Sequence, residues 1–162
     1  MRIRGTFFAC IAYLFVSQAA FAQTQVSGRV DWFGTYTLSI NPDVSDPNRR
    51  RYISTPVMGE STDRIPGKEG VRFGFSYILS GQKGTKVTVK HIYRFPGSGM
   101  PAPGGSRSML EQVRDDIVGE PVMIGWSFVG APPENIIVGE WSLEVWQGDQ
   151  KLVEKKFTVY AP

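Results

Sequence analysis

The chain has 162 residues, with 18 Lys or Arg against 15 Asp or Glu, and carries one histidine and one cysteine. One cysteine excludes a disulfide framework, and one histidine beside it falls short of a zinc ligand set. A formal net charge of +3 is too small for the dominant basic field that nucleic acid or an anionic membrane surface draws on, so neither is expected as a partner.

Residues 1–22 read as a cleavable secretory signal. Arg2 and Arg4 form the positive n-region, Phe7 to Val16 the apolar stretch, and Ala20-Phe21-Ala22 the small residues a signal peptidase reads. Cleavage removes Cys10, which stands too early for a lipoprotein box, and leaves a 140-residue chain, Gln23 to Pro162, expected to be periplasmic or secreted. Without Arg2 and Arg4 the balance is 16 basic to 15 acidic residues, a net of about +1. No later apolar run reaches spanning length, so no stable membrane insertion is expected after cleavage. Residues 23–162 suit one domain.

From Val26 to Ile40 the sequence alternates with a period of two. Val26, Val30, Trp32, Tyr36, Leu38 and Ile40 share one face with Gly28 and Gly34, which predicts a half-buried strand with a bulge or bend, able to serve both sheets of a sandwich. Phe33 is the one apolar residue out of phase, and is expected to face outward. Turns follow around Pro42 and Pro47, and Arg49-Arg50-Arg51 ends that loop. Tyr52 to Met58 is a short strand that Pro56 places at an edge. Val71, Phe73, Phe75, Tyr77 and Leu79 predict an inward strand face, Ser80 to Gly84 a hairpin turn, and Thr85 to Phe95 the returning strand. His91 lies in phase with the inward Val87, Val89, Tyr93 and Phe95. Pro96 to Gly105 holds three prolines and four glycines, and reads as a long exposed irregular loop with Met100 at its tip. Ser108-Met109-Leu110-Glu111 has capping-box spacing, and Met109, Val113 and Ile117 recur at four-residue steps. These features predict a short helix over Ser108 to Val118, with an edge strand as the alternative. Val122, Ile124, Trp126 and Phe128 alternate again. Glu140 to Trp146 and Leu152 to Tyr160 form a hairpin around Gly148, with Trp141, Leu143, Val145, Phe157 and Val159 inward. The whole reads as an all-β antiparallel sandwich of about seven to eight strands.

Two stretches carry a resemblance. Thr62-Asp63-Arg64-Ile65-Pro66-Gly67 followed by Gly70 to Tyr77 is similar to a T-x-x-I-P … G-x-x-F-G-x-x-Y pattern. Gly139-Glu140-Trp141 through Gly148, Leu152 and Phe157-Thr158-Val159 is similar to the G-x-W … G-x-x-L … F-x-V hairpin of many immunoglobulin-like bacterial domains. Together they resemble the bacterial family called domain of unknown function 3859. The resemblance implies an exported immunoglobulin-like domain over most of the mature chain, and supplies no activity and no site residues.

The chemistry-bearing residues are few. A nucleophilic triad needs a base against an activated hydroxyl or thiol, and His91 is the one histidine available, with no G-x-S-x-G elbow to serve. It reads as a packed residue whose ring reaches a backbone carbonyl or the neighbours of Tyr93. Asp43-Val44-Ser45-Asp46 lacks the rest of a calcium loop, and the adjacent Asp115 and Asp116 point apart rather than facing each other. No metal or other cofactor is expected. Arg49-Arg50-Arg51 and the stripe Lys86, Lys90, Arg94 read as solvated charge that could also meet an acidic partner. Trp32, Trp126 and Trp141 are expected in the core, with Phe33 and Trp146 outside.

The candidate contact surface is therefore Phe33, Trp146, Met100, Lys86, Lys90 and Arg94. The reading is a non-catalytic module binding proteins of the cell envelope. A carbohydrate- or small-ligand-binding module using Phe33 and Trp146 is the alternative, and a small hydrolase using His91 the third reading. The oligomeric state stays open.

Overall fold

The alternating segments become eleven strands in a computed structural model that describes residues 26–42, 45 and 52–162. The expected signal with Cys10, the Arg49-Arg50-Arg51 run and the Asp43-Asp46 turn other than Ser45 lie outside the described residues. The strands are β1 (Ser27–Pro42), β2 (Tyr52–Met58), β3 (Arg64–Pro66), β4 (Arg72–Ser80), β5 (Lys86–Arg94), β6 (Met100–Ala102), β7 (Gly105–Arg107), β8 (Met109–Ile117), β9 (Pro121–Ser127), β10 (Gly139–Gln147) and β11 (Gln150–Tyr160). Eight of them have seven residues or more, as the alternation requires. Among the described residues there is no α-helix, only a 3-10 turn at Pro133–Asn135.

Two sheets form the sandwich. One runs β2-β1-β4-β9, the other β3-β11-β10-β5-β8, and β6 and β7 make a separate hairpin. Among the described residues every pairing is antiparallel except the short β3–β11 contact. The inner faces meet around Trp141, which is fully buried, donates its indole N–H to the Ile137 carbonyl at 2.8 Å, and is ringed by Phe73, Phe95, Trp126 and Phe128 at 5.0–5.9 Å between centroids. Burying such aromatic surface is strongly favourable, and the edge and tilted ring contacts add to it.

Several sequence expectations need correction. Ser80 to Gly84 is not a hairpin turn, because β4 and β5 belong to different sheets. Both strands present a nearly continuous apolar inner face, and placing them opposite each other buries both. The segment 108–118 forms β8 rather than a helix, paired with β5 from Arg94↔Met109 to Lys86↔Ile117. A four-residue recurrence is a multiple of two as well as close to 3.6, so pairing decided what spacing could not. The loop 96–105 is also more regular than its prolines suggest. Gly97, Gly99, Gly104 and Gly105 take positive φ, β6 and β7 pair, and Met100 turns into the core at 7% exposure rather than standing at a tip.

β1 carries the predicted bulge, between Val30 and Trp32, where Asp31 has no partner on β4. The extra residue reverses the phase of everything after it. Phe33 therefore faces inward opposite Phe75 and packs on the core, while Trp32 falls opposite Ser76 on the outer face, half-buried. Ile40 is likewise exposed. The first half of β1 pairs with β4 and the second half with β2, so the long strand joins two partners of one sheet rather than bridging both sheets.

Candidate functional site

The second half of β1 and β2 form an arm beyond the bulge. Its base is Gly34, whose φ of +144° suits glycine and whose missing Cβ leaves room for the Glu60 carbonyl oxygen. Thr35 N–H donates to that oxygen at 3.0 Å, and Gly59 N–H to the Thr35 carbonyl at 2.8 Å. The arm lays the Tyr36 ring over Gly125 and brings Pro56 and Met58 beside Met123 of β9 and Ser76 of β4. Burial raises the Tyr36 pKa, against the lowering effect of Arg72.

On the same side of the sandwich, β8 ends one sheet and β9 the other. The turn between them is fixed by Val118 N–H to the Thr85 carbonyl at 2.9 Å and Gly119 N–H to the Leu79 carbonyl at 2.9 Å. A groove of about 610 Å³ opens there, bounded by the arm, by Pro121 to Met123 and by Arg114 to Ile117. Its wall is apolar at Pro56, Met58, Val122 and Met123 and polar at Ser76, Arg114, Asp116 and Glu120.

Behind that wall lies a buried polar cluster. Asp116 faces inward from β8, its side chain fully enclosed. Arg114 Nε donates to its Oδ1 at 2.7 Å, and the Tyr77 hydroxyl makes a short hydrogen bond to Oδ2. The same hydroxyl lies 2.7 Å from His91 Nε2. With the phenolic proton given to Asp116, the hydrogen-bond pattern assigns a proton to Nε2, which donates to the Tyr77 oxygen. Burial lowers the His91 pKa to about 4, against the raising effect of Asp116. Burial, and then the bond to Asp116, push the Tyr77 hydroxyl far above the ordinary tyrosine range. His91 is 2% exposed and does not line the groove. A hydroxyl, an imidazole and a carboxyl thus meet, but the hydroxyl is held protonated and the imidazole is a weak base shut away from solvent. Packing is what the sequence suggested for His91; its partner is the Tyr77 hydroxyl rather than a backbone carbonyl.

A second polar cluster covers the outer face of the five-stranded sheet. Glu144, its side chain 4% exposed, accepts from Arg94 Nε at 2.9 Å, Arg94 Nη2 at 3.3 Å and Trp146 Nε1 at 2.7 Å. Ser142 donates to Glu154 at 2.9 Å, and Lys151 pairs with Glu154 and lies 5.6 Å from the Trp146 ring centroid. Burial alone would raise the Glu144 pKa, but hydrogen bonds from Arg94 and Trp146 and the nearby charges of Arg94 and Lys151 hold it below its usual range.

Four of the six expected contact residues share this outer face. Lys86 pairs with Asp115 at 2.8 Å, and Lys90, Arg94 and Trp146 border a depression of about 360 Å³ floored by Ile92. Phe33 and Met100 are elsewhere: Phe33 lies at the sandwich edge beneath Lys155, whose Nζ is 3.6 Å from the ring centroid, and Met100 is in the core. Phe33 and Trp146 therefore form no common stacking platform. That Arg114 and Asp116 share a face went unnoticed in the sequence because a helical reading scatters them. Read as a strand, Leu110, Gln112, Arg114 and Asp116 fall on one face, and Asp115 and Asp116 point apart as expected. Among the described residues, no three His, Cys, Asp or Glu side chains are grouped to hold a metal ion.

The two facing sheets, the Trp-centred core and the edge groove define an immunoglobulin-like β-sandwich. The chain belongs to the family described as domain of unknown function (DUF3859), which matches residues 29–159. It is similar to the crystal structure of an immunoglobulin-like protein from Pseudomonas aeruginosa, with 28% identity, a TM-score of 0.59, and coverage of 86% of this chain and 99% of that one. An alkylpurine DNA glycosylase of Pseudomonas fluorescens bound to abasic-site DNA aligns at 11% identity and a TM-score of 0.40, over 84% of this chain and 30% of its own. A GH3 β-glucosidase of Bifidobacterium adolescentis aligns at 10% identity and a TM-score of 0.35, over 83% of this chain and 17% of its own. No curated protein matches.

Proposed function

We propose that the chain is an exported, non-catalytic binding domain that recognises a protein of the cell envelope through the groove between the β1–β2 arm and the β8–β9 edge. The observation that carries this reading is the groove itself: an apolar wall of Pro56, Met58, Val122 and Met123 facing charged groups of β8. Apolar surface with a few fixed polar groups is what a protein side chain or short segment needs for specific burial. Export rests on the residue 1–22 pattern. The absence of catalysis rests on the enclosure of His91 and its weakened basicity.

The test is capture from envelope extract with the tagged mature domain, compared with Met58→Lys and Met123→Lys variants of unchanged melting temperature. Binding should fall at least about tenfold in both, as for loss of an interface anchor, while Lys86→Ala on the outer face keeps it. Equal capture by all forms, or none, overturns the groove. Intact mass of the periplasmic protein should begin at Gln23, and a retained residue 1–22 overturns export.

A further inference from the structure

β8 ends the five-stranded sheet, so one row of its backbone N–H and C=O groups faces no strand among the described residues. The edge is regular: its pairing with β5 runs unbroken for nine residues, without proline, glycine or bulge. From Met109 to Asp115 every residue is exposed or half-exposed, including Gln112 and Arg114, which face the interior side. The strand is thus open to solvent over this run, with Leu110 packed on the core and Asp116 joined to Tyr77 of β4. Its outer face shows two large apolar side chains, Met109 at 41% and Val113 at 64% exposure.

We propose that a second copy of this chain occupies the edge, with β8 antiparallel to β8 of the partner copy about a twofold axis at Gln112, merging two five-stranded sheets. Charge selects this register. In a continuous sheet, directly opposed side chains share a face, so a symmetric pairing must centre on a residue. Centring on Glu111, Arg114 or Asp115 sets that charge against itself, and centring on Val113 sets Glu111 against Asp115 twice. Centring on Leu110 engages only Met109 to Glu111. Centring on Gln112 opposes Gln112 to Gln112, Glu111 to Val113, Leu110 to Arg114 and Met109 to Asp115, with no like charges face to face. It uses the exposed run 109–115 and leaves the buried Asp116 out. Opposed like charges destabilise a strand pair, so the charges that discourage other alignments act as a register filter. The neighbouring cations of β5 support it: Lys86 pairs with Asp115, and Lys90 sits opposite Val113. The pairing shares Arg114 and Asp115 with the β8 wall of the groove but not Met58 or Met123, so Met58→Lys and Met123→Lys test the groove without touching the pairing.

The experiment uses the full chain carrying Cys10→Ser, so that an introduced thiol is the only one. Gln112→Cys places two Cβ atoms directly opposite within disulfide reach. Under mild oxidation it should form a covalent dimer at least about tenfold faster than Val113→Cys or Glu111→Cys, whose own copies are offset. In sedimentation equilibrium the native chain should show concentration-dependent doubling of mass. Val113→Asp, at an exposed site and now opposed to Glu111, should return it to monomer with unchanged thermal stability, and adding Glu111→Lys should restore the dimer. A native chain that stays monomeric, a Val113→Cys dimer forming as fast as Gln112→Cys, or dimerisation indifferent to Val113→Asp each overturns the proposal.

Discussion

Two carboxyl groups of this sandwich have nearly the same immediate partner and opposite surroundings. Asp116 and Glu144 both have enclosed side chains and both accept from the Nε of an arginine about half exposed, Arg114 or Arg94. Asp116 lies between the sheets, and its remaining bond comes from Tyr77, which in turn holds His91. Glu144 lies on the outer face, where Trp146, Ser142 and Lys151 surround it at the border of solvent. The difference lies in what can replace a lost partner. Water can reach the outer cluster once a side chain is trimmed, whereas the inner one is enclosed, with Asp116 at the groove wall showing no side-chain surface and Tyr77 and His91 buried behind it. An unreplaced buried partner costs its full desolvation, which makes the inner cluster the more sensitive of the two.

Removing the carboxyl groups in turn should expose that asymmetry most strongly. Asp116→Ala strands the Tyr77 hydroxyl and, through it, His91, and should cost about 3 kcal/mol in urea denaturation, in the range of a broken buried pair. Glu144→Ala releases a half-exposed Arg94 to water and should cost about 1 kcal/mol. Equal losses would contradict the distinction between sealed and solvent-bordering clusters.

Acid should separate them next. The His91 pKa is about 4 in the folded chain against an ordinary 6.5, so the unfolded chain binds the extra proton first. The stability His91 contributes is complete above pH 6.5 and is lost as pH falls toward 4, about 3 kcal/mol in all. Glu144 is also shifted downward, but its contribution is complete above its ordinary 4.5 and is lost only as pH falls further, from the acid end of the His91 window. Unfolding free energies measured at pH 7, 5.5 and 4 should decline across both intervals in the native chain, and His91→Gln should flatten the first and lessen the second, where carboxylates such as Glu144 begin to contribute. An unchanged slope in the variant removes His91 as the cause.

This comparison also marks where the sequence was legible. Alternation placed β4, β5, β9 and the β10–β11 hairpin, and it set His91 among inward residues, because strands with one buried face must repeat every two residues. It failed where one residue changes the phase. The unpaired Asp31 put Phe33 inside and Trp32 outside, and no composition rule announces a bulge at that residue. It failed again where spacing fits two periods, at Met109, Val113 and Ile117, and with that helix went any sight of Arg114 and Asp116 on one face. The outer network escaped for a different reason: Glu144, Arg94 and Trp146 are polar positions of separate strands, joined only by the register of β10 against β5.

A gentler probe of the inner cluster is Tyr77→Phe, which keeps the ring packed against Phe75 and His91 and deletes one hydroxyl. His91 Nε2 and Asp116 Oδ2 then each lose a partner in a closed space, and the cost should be about 2 kcal/mol by thermal or chemical unfolding. A loss within error of zero would mean that water enters the cluster.

The matching deletion outside is Trp146→Phe. It removes the indole N–H that reaches Glu144 at 2.7 Å and keeps an aromatic ring near Lys151. Glu144 retains Arg94 in two contacts and Lys151 at 3.8 Å, and Trp146 is itself only half-buried, so solvent can take the vacated place. The cost should be about 0.5 kcal/mol, the low end for one hydrogen bond exchanged with water. It should come with a small upward movement of the Glu144 pKa, read by carboxyl NMR titration, because one of the donors holding the pKa down is gone. If Trp146→Phe instead costs as much as Tyr77→Phe, the outer face excludes water as well as the interior does. A covered outer face would in turn place a partner over Lys90, Arg94 and Trp146 rather than in the groove.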